Sequence, residues 1–218
     1  MKKNNIHVFY GHGSFIDNET LGIENDNKSL KINFEKAVIA TGSKPSTLPF
    51  VKIDKKRIIT STQALDLKEI PKKLLIIGAG VIGLELGQVY SRLGSEVKII
   101  EYADKITPFM DSSVSKELIK IFKKQNISFF LSHEVKKIQN IGDKVLVDAT
   151  DIDLNNISFT GDYCLISVGR KAYTDGLGLE NVGLSTNKYG KINVNGHLQT
   201  DVDNIYAIGE VIKGPMLA

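Results

Sequence analysis

The stretch Lys73–Gly87, KLLIIGAGVIGLELG, opens as an apolar run of strand length and turns over on Gly78, Gly80 and Gly83 into a segment with helical spacing. An aliphatic run that ends in GxGxxG and continues as a helix is the pattern of a strand entering a tight turn at a helix N-terminus. Each glycine then has its own reason. Gly78 permits the turn, Gly80 lets a pyrophosphate approach the backbone, and Gly83 lets the helix lie close on the strand. The unpaired amides at the helix start face the phosphates. Glycine-rich turns also occur in ordinary loops, so the weight comes from Glu101. It closes the next strand, VKIIE, about twenty residues on, where a carboxylate accepts hydrogen bonds from ribose hydroxyls. A carboxylate there repels the 2′-phosphate of NADP, and Tyr102 and Ala103 follow it with no arginine, so NAD is the expected ligand.

Outward from this turn, the helix is expected to stop at Gly94, which makes a βαβ unit with parallel strands. A second helix is expected from about Asp111, with Ser112 and Ser113 as rival caps and an apolar face of Val114, Leu118 and Ile121. Strand ISFFL follows, then short β segments from Glu134 to Thr160, then strand DYCLISVG. The pattern is α/β, a doubly wound parallel sheet carrying a β-meander. On the N-terminal side, Ile6 to Gly42 reads as a small antiparallel meander ending in AVIATG. Lys44 to Pro71 holds three of the five prolines and reads as a connector between domains. From Gly190 onward one strand, Ile205–Gly209, is expected without a closing element, as in an internal piece of a longer protein.

Composition narrows the function classes. The chain has 218 residues, 42% hydrophobic, with 28 basic against 25 acidic side chains and a formal charge of +3. Its lysines are scattered, so no nucleic-acid partner is implied. No apolar run approaches the roughly 20 residues of a membrane span, so no membrane partner is expected and the expected location is cytoplasmic. Cys164 is the only cysteine, which excludes a disulfide or CxxC pair within the chain, and it reads as a buried strand thiol. His7, His12, His133 and His197 show no metal-ligand spacing, and no metal site is expected. Glu85 neighbours Ile82 and Val89 at helical spacings. It either needs a partner for its charge or stands at a solvated edge.

With those residues placed, the sequence resembles the dihydrolipoyl dehydrogenases, a branch of the pyridine nucleotide–disulfide oxidoreductases, along essentially its whole length. The resemblance is carried by AVIATGS (37–43), IIGAGVIGLELG (76–87), SVGRKAYTDGLGLENV (167–182) and TDVDNIYAIGEVIKGPMLA (200–218). It implies the later part of an FAD-binding domain and a connector over 1–70. A Rossmann-like, three-layer NAD-binding domain with parallel sheet and β-meander is implied over 71–192, and a return into FAD-binding structure over 193–218. The implied NAD contacts are Gly78, Ala79, Gly80, Val81, Ile82, Gly83 and Glu101, with Val135 on the adenine side. Gly169 and Glu85 lie near the nicotinamide, where Glu85 pairs in the family with a lysine beside the flavin. The implied FAD contacts are Gly13 at the adenine, the turn Thr41, Gly42 and Ser43, then Gly209 and Glu210, and the tail Met216, Leu217 and Ala218, which would begin a helix.

The resemblance implies cofactors FAD and NAD, and a parent enzyme that oxidises dihydrolipoamide through a redox disulfide, FAD and NAD. Its implied partner is the dihydrolipoyl domain of 2-oxo-acid dehydrogenase or glycine-cleavage complexes, and the parent is expected to be a homodimer. The family's first FAD fingerprint, its cysteine pair and its His-Glu acid–base pair are missing from these residues, so no catalytic residue is expected here and the chain alone is expected to be inactive. Glu210 stands where the family has an aspartate. The alternatives are another flavin disulfide reductase of the mercuric or glutathione type, disfavoured by Glu101 and GPMLA, and a non-catalytic module that binds NADH.

Overall fold

The computed structural model describes residues 4–26, 28–214 and 216. In chain order the first strands are β1 (His12–Asp17), β2 (Thr20–Asn25), β3 (Lys28–Asn33), β4 (Ala37–Ile39) and β5 (Ser43–Pro45). Then come β6 (Ile58–Ile59), α1 (Ser61–Ala64), β7 (Lys73–Ile77), α2 (Val81–Arg92), β8 (Glu96–Ile100), α3 (Ser112–Lys123) and β9 (Ile127–Phe130). The meander β10 (Glu134–Asn140), β11 (Val145–Thr150) and β12 (Asn156–Gly161) leads to β13 (Tyr163–Ile166), β14 (Arg170–Ala172) and β15 (Ile205–Ala207). The described residues up to Lys44, together with those from Lys171 onward, form one compact unit, and Pro45–Arg170 form the other.

The contiguous unit is built on a parallel sheet in the order β6-β13-β7-β8-β9. Side chains alternate across a strand, and β7 uses that alternation to serve two cores. Leu74 and Ile76, with Val97, Ile99 and Leu165, pack on Leu84, Leu86 and Tyr90 of α2 and Phe122 of α3. Leu75 and Ile77, with Ile100, Cys164 and Ile166, pack on Val145, Val147 and Phe159 of the meander. The result is three layers. The named helices occupy one face of the sheet, and the antiparallel meander takes the face that a doubly wound fold would give to more helices.

Two expectations change and one alternative is decided. The segment expected as a plain connector supplies the edge strand β6, because Ile58 and Ile59 are apolar enough to be buried beside β13. Helix α3 starts where expected, capped by Asp111 ahead of the rival serines, its Oδ1 accepting from the Ser113 amide at 2.7 Å. Its buried residues are Ser115 and Phe122, with Leu118 and Ile119 packed against the core, while Val114 and Ile121 are exposed. Ser115 can turn inward because its hydroxyl meets Thr107 Oγ1 at 2.9 Å, which removes the penalty of an unpaired buried hydroxyl.

In the discontinuous unit β1, β2 and β3 form the antiparallel meander, without a strand in Ile6–Tyr10. β4 leaves that meander and pairs in parallel with β15. Phe15, Ile39, Leu179, Leu184, Ile192 and Ile205 share its core, and the Phe15 amide donates to Leu177 O at 2.8 Å. The compact units therefore divide near 44 and 170, whereas the cofactor-domain limits expected from the sequence fall at 70 and 192. Cys164 is fully buried, and burial pushes its thiol pKa up. Among the described residues no helix is long and apolar enough to cross a membrane.

Asp54 fixes the turn that leads into β6. Its Oδ1 accepts from the amides of Lys56, Arg57 and Ile58 at 2.8, 2.8 and 2.9 Å, and its Oδ2 from Asn140 at 2.6 Å. Burial works against the charge, but these bonds outweigh it and hold the carboxyl below its ordinary pKa. A depressed folded pKa stabilises the protein above the unfolded value of about 3.9, and that contribution is lost as pH falls through the folded value. Asp54→Asn is expected to cost about 1–3 kcal/mol at pH 7 and to flatten the decline of stability below about pH 4. Denaturant melts of both proteins at several pH values check this.

Candidate functional site

The turn after β7 can be accounted for group by group. The Gly78 amide donates to Ile100 O at 2.9 Å, and Ser167 Oγ lies 2.9 Å from Ile77 O and 3.1 Å from Gly78 O as their donor. The Ala79 amide donates to Glu101 Oε2 at 2.6 Å, and Ala79 O accepts from the Thr107 amide at 3.0 Å. Gly80 O accepts from the Leu84 amide at 3.0 Å, and Gly80 caps α2 without a side-chain bond. Among the described residues nothing accepts from the amides of Gly80, Val81 or Ile82. Buried or half-buried backbone donors are rarely left unmatched. Gly80 and Ile82 are half-buried and Val81 is exposed, and such a run of amides at the positive end of a twelve-residue helix can receive an anion.

The glycines differ as the fingerprint requires. Gly78 has φ of 103°, and a Cβ there would stand 2.6 Å from Ser167 O. A Cβ on Gly83 would stand 2.2 Å from Gly78 O. At Gly80 it would meet nothing within 4 Å, so the space above that backbone is open to a ligand.

Glu101 is fixed on every side. Its amide donates to Phe130 O at 2.9 Å, its carbonyl accepts from His133 N at 2.9 Å, and its Oε1 accepts from the Ala103 amide at 2.8 Å. An ionised carboxylate has about four acceptor positions, so two remain for hydroxyls beside the turn. Sequence reasoning missed two residues of this site. Ser167 braces the turn from below. Thr107 holds it from the side with φ of 44°, a left-handed conformation that costs a β-branched residue about 1–3 kcal/mol. Nothing in a TxxM or SVG pattern announces either role.

The other expected nucleotide residues scatter in environment. Glu85 is exposed on α2, as is Val89, so its charge is met by solvent and the solvated-edge alternative holds. Val135 packs its side chain into the core, which leaves only its main chain to meet a ligand. Gly169 has φ of 114° and open space at its Cα, and its carbonyl accepts from Ser46 N at 2.9 Å.

The expected flavin residues lie in the discontinuous unit. Thr41 Oγ1 donates to Tyr173 O at 2.6 Å, and Gly42 O accepts from Tyr173 N at 2.9 Å, so that turn is braced twice. Ser43 Oγ donates to Glu210 Oε2 at 2.5 Å. Among the described residues Glu210 Oε1 is buried with no partner, and a buried carboxylate oxygen is ordinarily matched by a donor. Gly209 before it has φ of 74° and open space at its Cα, and Gly13 in β1 has open space at its Cα. Met216 lies partly exposed in no helix or strand, and Leu217 and Ala218 are outside the described residues. Among the described residues no cluster of His, Cys, Asp and Glu could hold a metal ion.

The family model described as pyridine nucleotide-disulphide oxidoreductase matches residues 1–218. The chain belongs to this family. Among curated members of the pyridine nucleotide-disulphide oxidoreductases, it is 41% identical over 220 residues to dihydrolipoyl dehydrogenase 2, mitochondrial, of Arabidopsis thaliana, covering 100% of this chain and 43% of that one. It is 43% identical over 221 residues to the mitochondrial dihydrolipoyl dehydrogenase of Dictyostelium discoideum, covering 100% and 45%. Among solved structures, the HOCl-induced flavoprotein disulfide reductase RclA from Escherichia coli superposes with a TM-score of 0.87 at 32% identity, over 98% of this chain and 47% of that one. LpdA from Mycobacterium tuberculosis does so with 0.82 at 28%, over 95% and 46%. The chain thus spans a little under half the length of the relatives it matches.

The three glycines make a sharp test of the site. Gly80→Ala is expected to leave thermal stability unchanged while weakening NADH, because the methyl group fills only the ligand's space. Gly83→Ala is expected to destabilise the fold by about 1–3 kcal/mol through overpacking. Melting curves with and without NADH separate the two.

Proposed function

We propose that this chain carries the pyridine-nucleotide site and part of the flavin wall of an enzyme that oxidises dihydrolipoamide with NAD. The run of unmatched amides at Gly80, Val81 and Ile82, beside the fixed carboxylate of Glu101, is the observation that carries the reading. Those amides would bind the pyrophosphate, Glu101 would accept from the adenosine ribose, and its charge would turn away a 2′-phosphate. Gly78 and Gly83 shape the turn, and Ala79 spends its own amide on orienting Glu101. Val135 through its main chain would border the adenine, with Gly169 and Glu85 toward the nicotinamide.

For the flavin, the fit rests on the orphaned Oε1 of Glu210. Ser43 orients that carboxylate, and the free oxygen would accept a hydroxyl of the ribityl chain. Thr41 and Gly42 would present the adjoining turn, Gly13 and Gly209 would leave room for the cofactor's close approach, and Met216, Leu217 and Ala218 would border its ring. When bound, FAD supplies the two-electron relay between a dithiol and the nicotinamide. Two electrons and two protons leave dihydrolipoamide, one hydride reaches NAD, and one proton is released. Cys164, buried in the sheet, has no access to that exchange, so the redox disulfide belongs to other residues of a longer enzyme. A homodimer of that enzyme, its cytoplasmic location, and its service to the dihydrolipoyl domain of 2-oxo-acid dehydrogenase or glycine-cleavage complexes are parts of the same proposal.

Two measurements check the reading. Titrated by cofactor fluorescence, the chain is expected to bind NADH about tenfold or more tightly over NADPH, a difference of about 1.4 kcal/mol, and Glu101→Gln is expected to narrow the gap. Equal affinities for the two cofactors would overturn the Glu101 assignment. In the longer enzyme, Glu210→Ala is expected to loosen FAD by about 1.5–3 kcal/mol, read as flavin lost on dialysis, while Glu210→Asp retains it. The longer enzyme should turn over dihydrolipoamide with NAD, and the 218 residues alone should not. An intact parent that binds NADH but never reduces NAD would favour the non-catalytic module.

A further inference from the structure

We infer that Thr107 is a positioning residue for the nucleotide-binding turn: its left-handed backbone, pinned to α3 through Ser115, holds the Ala79 peptide so that the next amides stay aimed at the ligand. The inference rests on the nucleotide reading above, and its geometry stands apart from it.

Ala79 is gripped at both ends by one short segment. Its amide goes to the Glu101 side chain, and its carbonyl to the Thr107 amide six residues later. With both ends fixed, the peptide planes on either side of Ala79 cannot rotate, and the direction of the Gly80 amide follows from theirs. Thr107 in turn has no freedom. Its carbonyl accepts from Met110 N at 2.9 Å, Ile106 before it is fully buried, and its hydroxyl meets Ser115 Oγ at 2.9 Å. Ser115 Oγ also lies 3.4 Å from Asp111 O, so when that hydroxyl donates to the carbonyl, Thr107 Oγ1 donates to it. The chain of bonds runs from the α3 cap to the turn without a gap.

The residue type argues against a merely structural turn. A backbone at φ of 44° is ordinary for glycine, tolerable for asparagine, and disfavoured for threonine. Glycine would form the same turn at lower cost. It would also lack the hydroxyl that reaches Ser115 and would swing more freely. The strained side chain fits a requirement for rigidity at Ala79, and backbone strain of this kind gathers where geometry serves a ligand.

Thr107→Gly, Ser115→Ala and Thr107→Ser separate backbone strain from hydroxyl anchoring. In the unliganded chain, amide exchange at Ala79 is expected to accelerate about tenfold in Thr107→Gly and Ser115→Ala, and to stay near the unmodified rate in Thr107→Ser. The Kd for NADH is expected to rise about fivefold in the first two and to recover in the third. The melting temperature of Thr107→Gly should change little, because relief of the left-handed strain offsets the loss of the hydroxyl that Ser115 meets. Unchanged exchange and unchanged Kd in Thr107→Gly and Ser115→Ala would overturn the inference. So would exchange that rises in step with a fall in melting temperature, since that marks general loosening. If exchange responds as expected while the unmodified chain fails to bind NADH, the hold on the turn stands and the nucleotide reading falls.

Discussion

The closest constraint in the molecule is the approach of α2 to the end of β7. The axis of that helix can come down onto the strand only where side chains are missing, and Gly83 faces Gly78 O at a distance no Cβ tolerates. Gly87 continues the close contact, since a Cβ there would stand 3.2 Å from Ile76 Cδ1. From this approach the rest of the unit follows. β7 becomes the middle of the sheet with both faces covered, β8 is drawn in parallel beside it, and Ile100 and Glu101 are delivered next to the turn they bond.

The same segment was also the most legible in the sequence, for a physical reason. A tight strand-to-helix turn restricts residue type by sterics, and steric restrictions leave their mark on single positions. Interactions that depend on partners far along the chain leave no such mark. Ile58 and Ile59 are too short a run to announce an edge strand, and only β13, formed much later in the sequence, makes them one. Val38 reads like any meander residue until β15 arrives to pair with β4 in parallel. Apolar spacing along α3 favoured Val114 and Ile121, but a serine won the buried face because a threonine hydroxyl was there to receive it. Glu101 was legible as a carboxylate at the right place, whereas its bond to Ala79 was not.

The two regions proposed for the cofactors show how differently a site can be prepared. At the nucleotide turn nearly every polar group is satisfied internally, and the few that are not lie in sequence at Gly80, Val81 and Ile82. At Ser43 and Glu210 the preparation is a single unmatched oxygen beside a matched one. The longer arm of glutamate, compared with the aspartate of the family pattern, still reaches a serine partner and keeps an acceptor spare.

The sheet of the contiguous unit and both of its cores are made of residues before Arg170. The other unit must wait. Its bonds join His12 to Gly176, Ser43 to Glu210 and Asn18 to Asn204, separations of 164, 167 and 186 residues, and long loops close slowly. Until then the β1–β3 hairpins have only part of their apolar support, and an exposed strand edge invites pairing with other chains. The contiguous unit is thus closed by its own residues, whereas the first forty residues complete their core only with those from Lys171 onward.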